Sequence, residues 1–148
     1  GGLSLELAAG LTVLPGLVAG AGLFVDGTSS PTLSNKGFGD ATLDGSTLSM
    51  IGPMVDWYMR HELDGWHLQA ALTLALLGVS RGTGVSGAAV GTDTGTGAGL
   101  IVGGGYEWPI DKSLAIGVLA RLAFAGLSES VYKHGALTSS ILCSVTWY

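Results

Sequence analysis

Residues 66–80 read WHLQAALTLALLGVS, and the two parities of that stretch differ along its length. The even positions hold Trp66, Leu68, Ala70, Leu72, Leu74 and Leu76; the odd ones hold His67, Gln69, Ala71, Thr73 and Ala75. A period of two sends successive side chains to opposite faces of a β-strand, giving one apolar face and one small, polar face. The pattern recurs from Leu114 to Phe124, where Leu114, Ile116, Val118, Ala120, Leu122 and Phe124 oppose Ala115, Gly117, Leu119, Arg121 and Ala123. It recurs again where Leu100, Val102, Tyr106 and Trp108 oppose Gly99, Gly103, Gly105 and Glu107. At the front, Leu3, Leu5, Leu7, Leu11 and Val13 oppose Ser4, Glu6, Ala8 and Gly10; at the end, Ile141, Cys143, Val145 and Trp147 oppose Ser140, Ser144 and Thr146. Two further strands are less cleanly patterned: the Gly/Ala-rich Leu17 to Asp26, and Thr47 to Tyr58, with Ile51, Val55 and Trp57 assigned outward.

Composition decides what those strands enclose. The 148-residue chain is 47% apolar and 11% charged, with a mean hydropathy of +0.51. The charged share is less than half that of an ordinary soluble domain. In a soluble sandwich the large residues would meet a second sheet and the polar ones would meet water. Here the polar face is Gly, Ala, Ser and Thr with isolated charges, which suits a narrow barrel interior, while the aliphatic face suits lipid. Each run is roughly 10–13 residues, close to the roughly 9–11 that a tilted strand needs to cross hydrocarbon. No apolar run reaches the length of a transmembrane helix. A net charge of −5 disfavours nucleic acid as a partner. Cys143 is the single cysteine, so the chain alone forms neither a disulfide nor a thiolate zinc site.

The connections alternate in length. Leu14-Pro15-Gly16, Arg60 to Gly65 and Pro109 to Ser113 are short, whereas Gly27 to Ser46, Arg81 to Thr96 and Ser128 to Ala136 are long. Outer-membrane barrels have short periplasmic turns and long outer loops. Trp57, Tyr58, Trp66, Tyr106, Trp108, Trp147 and Tyr148 all fall at the short-turn ends, where an interfacial girdle belongs. The expected fold is therefore all-β: an antiparallel up-and-down transmembrane barrel in the outer membrane of a Gram-negative envelope, one domain over residues 1–148. Seven strands are legible, entering on the loop side and ending on the turn side. A closed bacterial barrel has an even strand number, so an eighth strand preceding Gly1 is expected. Gly1 is not an initiator methionine, and no signal-type segment follows it; the front is read as processed or truncated.

The segments GDATLDGSTLSMIGPMVDWY (Gly39 to Tyr58), WHLQAALTLALLGVS (Trp66 to Ser80) and GGGYEWPIDKSLAIGVLARL (Gly103 to Leu122) carry a resemblance that covers nearly the whole chain. It resembles the small eight-stranded outer-membrane barrels, and more closely a group of glycine-rich barrel proteins of myxobacterial type. That likeness implies an upstream strand and no activity that transfers residue by residue. The chain departs from the general pattern at its end, where parity puts Trp147 outward and Tyr148 inward.

The inward charges are Glu6, Asp56, Glu107 and Arg121, with His67 and Gln69 on the same face. An enclosed arginine needs carboxylate partners, so Arg121 is expected to pair with Glu107, Asp56 or Glu6. A lumen plug is preferred over a proton or ion relay, because eight strands leave room only for side chains. His134 with Ser128, Glu129 and Ser130 imitates the constellation of a lipid-A deacylase, but all four lie in or beside one loop and not on rigid strand faces. GTDTGTG (Gly91 to Gly97) supplies one acid, too few for a calcium turn, and reads as a solvated loop. Gly103-Gly104-Gly105 is followed by strand, not by the helix of a dinucleotide loop. No catalytic residue, metal or cofactor is expected. The preferred function is a structural or interaction barrel whose partners are outer-membrane lipid and, through its apolar band, other copies of itself. A membrane enzyme or narrow channel is the alternative, and a soluble ligand carrier would need the aliphatic face turned inward.

Overall fold

The computed structural model describes residues 1–29, 32–33, 41–42, 45–60, 65–80, 92–128 and 133–147. The strands are β1 (Gly2–Leu14), β2 (Leu17–Ser29), the two-residue β3 (Thr32–Leu33) and β4 (Ala41–Thr42), β5 (Gly45–Tyr58), β6 (Gly65–Ser80), β7 (Thr92–Pro109), β8 (Leu114–Ser128) and β9 (Lys133–Trp147). Seven of them form one curled antiparallel sheet, a half-barrel, in the order β1-β2-β5-β6-β7-β8-β9. The small β3-β4 pair stands apart, within the connection from β2 to β5. Among the described residues no helix is long and apolar enough to cross a membrane.

The tight turns follow from local chemistry. Pro15-Gly16 closes β1 onto β2, with Gly16 at φ 76°, where proline presets the first central position and glycine tolerates the second. The turn is docked: the Tyr58 amide donates to the Gly16 carbonyl at 2.7 Å. Between β7 and β8 the amides of Ile110 and Asp111 both donate to the Leu114 carbonyl, and the Ser113 amide donates to Asp111 Oδ1.

The alternation seen in residues 66–80 survives folding. Leu72 is 67% exposed while its neighbour Ala71 is 3% exposed. Ile51, Val55 and Trp57 face outward as expected. The inner face holds an apolar cluster that includes Phe24, Met50, Met54, Ile101 and Leu127.

The largest departures from the sequence-based bounds are at the starts of β7 and β9. Residues 92–96, read as part of a long loop, are the first residues of β7, with Ser80 to Leu76 of β6 as register partners. β9 begins at Lys133, not at Leu137. In each case a ladder already running on the neighbouring strand extends into Thr- or Gly-containing sequence that has no strong pattern of its own.

The margins of the sheet are β1 and β9, which are not laddered to each other. Both run from the loop end to the turn end: Gly2 lies opposite Thr28 and Lys133 opposite Ser128, while Leu14 and Trp147 sit at the short turns.

Candidate functional site

The inner face carries the charge. Because strand parity is fixed by the aliphatic outer face, every charged residue of inward parity is delivered to the same enclosed space. Glu6, Asp56, His67, Gln69, Glu107 and Arg121 all turn inward, as their parity predicts.

Arg121 is the centre of one group. Its guanidinium is fully enclosed and donates from Nη1 to Glu6 Oε2 at 3.1 Å and from Nη2 to Asp26 Oδ1 at 2.6 Å. It also lies 5.5 Å from the centroid of the Phe24 ring, a distance at which the cation is attracted to the ring face. Gln69 Nε2 donates to the other Glu6 oxygen at 2.6 Å, and the Thr138 hydroxyl donates to Asp26 Oδ2 at 2.7 Å. One cation from β8 thus ties β1 and β2 to the opposite wall.

A second group lies beside it. His67 Nδ1 donates to Asp56 Oδ1 at 2.8 Å, and the His67 ring stacks on Tyr58 with centroids 5.0 Å apart. Glu107 accepts from the Tyr58 hydroxyl at 3.2 Å and from the Thr146 hydroxyl at 2.5 Å.

Glu6 is therefore a partner of Arg121, as expected, but Asp26 is an equal partner that the sequence reading did not name. Asp26 shares its parity with Phe24 in the Gly/Ala-rich β2, where contrast between faces is weak; that shared parity was the usable signal. The pairing also depends on stagger. Register partners followed from Arg121 run through Gly103, Gln69, Asp56 and Val18 to Thr12. Across the interior, however, Arg121 meets Glu6. That offset is the tilt a curling sheet acquires as it approaches closure.

Outside, Trp57, Trp66, Trp108 and Trp147 project from the turn ends. Trp66 packs edge-on against Tyr106, which contacts Trp108 in turn. Tyr58, counted with this girdle from its position, is instead buried inside, because Trp57 takes the outward parity and leaves Tyr58 the inward one. Tyr148 lies outside the described residues, as do Glu129 and Ser130 and the side chains of Ser128 and His134.

Among the described residues no cluster of His, Cys, Asp and Glu could hold a metal ion. Hydrogen bonds and ion pairs join these groups across the interior, from β8 to β1 and β2 and from β6 to β1 and β5. Comparison with protein-family models, curated proteins and solved structures finds no match.

Proposed function

We propose that this chain is a structural or interaction-type β-barrel of the bacterial outer membrane, with a plugged lumen and its long connections facing the exterior. The observation that carries this reading is the outward band. Leu3, Leu11, Leu72, Leu74, Ile141 and Val145 stand exposed on the convex face with the other aliphatic residues of their parity. The concave face holds Arg121, Asp26 and Glu107 in enclosed positions. Soluble proteins rarely expose contiguous apolar patches beyond a few hundred Å². An interior that carries buried charge beside its apolar cluster, inside an aliphatic exterior, fits a barrel in lipid.

The four outward tryptophans at the turn ends support an interfacial belt on the periplasmic side. The unladdered margins support a complete barrel of eight strands, since each free edge would otherwise leave backbone groups unsatisfied in hydrocarbon, at several kcal/mol apiece. The wall-to-wall bonds of Arg121 support a brace and not a pore. The partners are outer-membrane lipid and, through the apolar band, further copies of the chain.

Refolding from urea tests the reading. The chain should remain soluble only with detergent micelles or lipid vesicles present, and the unboiled form should migrate apart from the boiled form on a denaturing gel. A β-rich monomer that persists in plain buffer defeats it.

A further inference from the structure

Resting on the barrel reading, we infer that the seam between β1 and β9 is an acceptor site for one extended peptide strand. That strand would be aliphatic on its outward positions, small on its inward ones, and would carry a lysine or arginine pointing inward near Glu6.

Direction supplies the first argument. β1 and β9 run the same way, so pairing them directly would put one parallel ladder into an otherwise antiparallel sheet. A single strand between them, running from turn end to loop end, is antiparallel to both.

Space supplies the second. Both margins line a cavity of about 1270 Å³, bordered by β1 from Gly2 to Thr12 and by β9 from Thr138 to Trp147. At their nearest the margins come within 8 Å, Cα to Cα. Laddered neighbours sit about 4.8 Å apart and strands flanking a third about twice that. Insertion therefore spreads the narrowest point by a couple of ångströms, roughly.

Charge supplies the third. At the brace two carboxylates, Glu6 and Asp26, share one guanidinium, Arg121. One enclosed acceptor on the cavity wall, Gln69 Oε1, has no hydrogen-bond partner, and the enclosed His67 Nε2 beside it has none either. The hydroxyl oxygens of Ser140 and Ser144, on the inward side of the β9 margin, are also enclosed without partners. A second carboxylate on one guanidinium, beside an unfilled amide oxygen, calls for a donor that is also a cation. Among the described side chains a second copy brings none on its margins: the inward charge on β1 is Glu6, and those of β9 that turn inward are uncharged.

The probe is a fluorescent peptide of about 11 residues, the span of one tilted strand, alternating leucine with serine and bearing one central inward arginine. Residues 1–148 are refolded in micelles and titrated by anisotropy with this peptide and with its glutamate counterpart. The arginine peptide should bind one to one, on the order of tenfold more tightly than the glutamate peptide, because like charges placed together are penalised. Glu6→Gln should shrink that ratio. A chain that gains its gel-shifted form only with the arginine peptide supports the inference equally. A folded chain that binds neither peptide, binds both equally, or fills the seam by dimerising on sedimentation overturns it while leaving the lipid-facing band intact. Folding and arginine-peptide binding in plain buffer would do the reverse, sinking the membrane reading and keeping the acceptor site.

Discussion

The wall formed by β5 to β8 and the margins formed by β1 and β9 are made of the same materials and end in different environments. On the wall, inward Ala71, Ala75, Ala115 and Ala123 are buried. On β1, inward Ala8, Gly10 and Thr12 are exposed, although their parity and size match those of the wall residues. Composition does not separate them; neighbours do. A wall strand is laddered on both sides and faces an opposite wall, while a margin strand has one ladder and looks onto the seam. Burial in this fold is thus a property of closure, and the bonds that cross the interior to the margins are those from Arg121 to Glu6 on β1 and from Thr138 on β9 to Asp26.

The largest expected effect comes from cutting that brace. Arg121→Met keeps much of the side chain's length and leaves Glu6 with the Gln69 amide and Asp26 with the Thr138 hydroxyl. Removing one partner of an enclosed ion pair costs about 3–5 kcal/mol. The urea midpoint in micelles should fall accordingly, and β1 amides should exchange faster than those of β6. Equal loss of protection in β1 and β6 would mean that the brace holds the whole sheet, not its margins.

The next effect probes the outer face of the wall. Leu72→Arg, near the middle of β6, should cost about 2–4 kcal/mol if that face meets hydrocarbon, whereas Ser113→Arg in the exposed β7-β8 turn should cost nearly nothing. The comparison is read from urea midpoints in vesicles. Equal tolerance at the two positions breaks the contrast between a lipid-facing wall and a wet turn.

What was legible in the sequence follows the same division. The face taken by each side chain is local, so Leu72 outward and Gln69, Glu107 and Arg121 inward could be read directly from parity. Partner choice is not local. Asp26 reaches Arg121 only because the sheet is staggered, and no spacing along the chain encodes that offset. The early starts of β7 at Thr92 and of β9 at Lys133 depend on ladders already present in β6 and β8. Tyr58 stands between: its position at a strand end suggested a girdle, while its parity beside outward Trp57 pointed inward, and parity prevailed because a strand cannot turn two successive side chains to one face.

The smallest effect, and the sharpest measure of how freely the margin moves, comes from two glycines. A Cβ at Gly52 in β5 would run into the Leu72 carbonyl oxygen and the Thr73 backbone of β6; a Cβ at Gly20 in β2 would meet the Ala9 carbonyl oxygen and the Gly10 backbone of β1. The local clash is alike, but β6 is clamped by β7 on its far side and β1 has nothing laddered beyond it. Gly52→Ala should therefore cost about 1–3 kcal/mol, the usual range for overpacking where neighbours cannot retreat. At Gly20 the margin can shift, and alanine recovers roughly 0.5–1 kcal/mol of the backbone entropy that glycine forfeits in a strand, so Gly20→Ala should come out close to neutral. Urea midpoints in micelles measure both. Equal losses would show a margin as rigid as the wall. With the arginine peptide bound, β1 is clamped on both sides as β6 is, and the loss at Gly20 should rise toward that at Gly52.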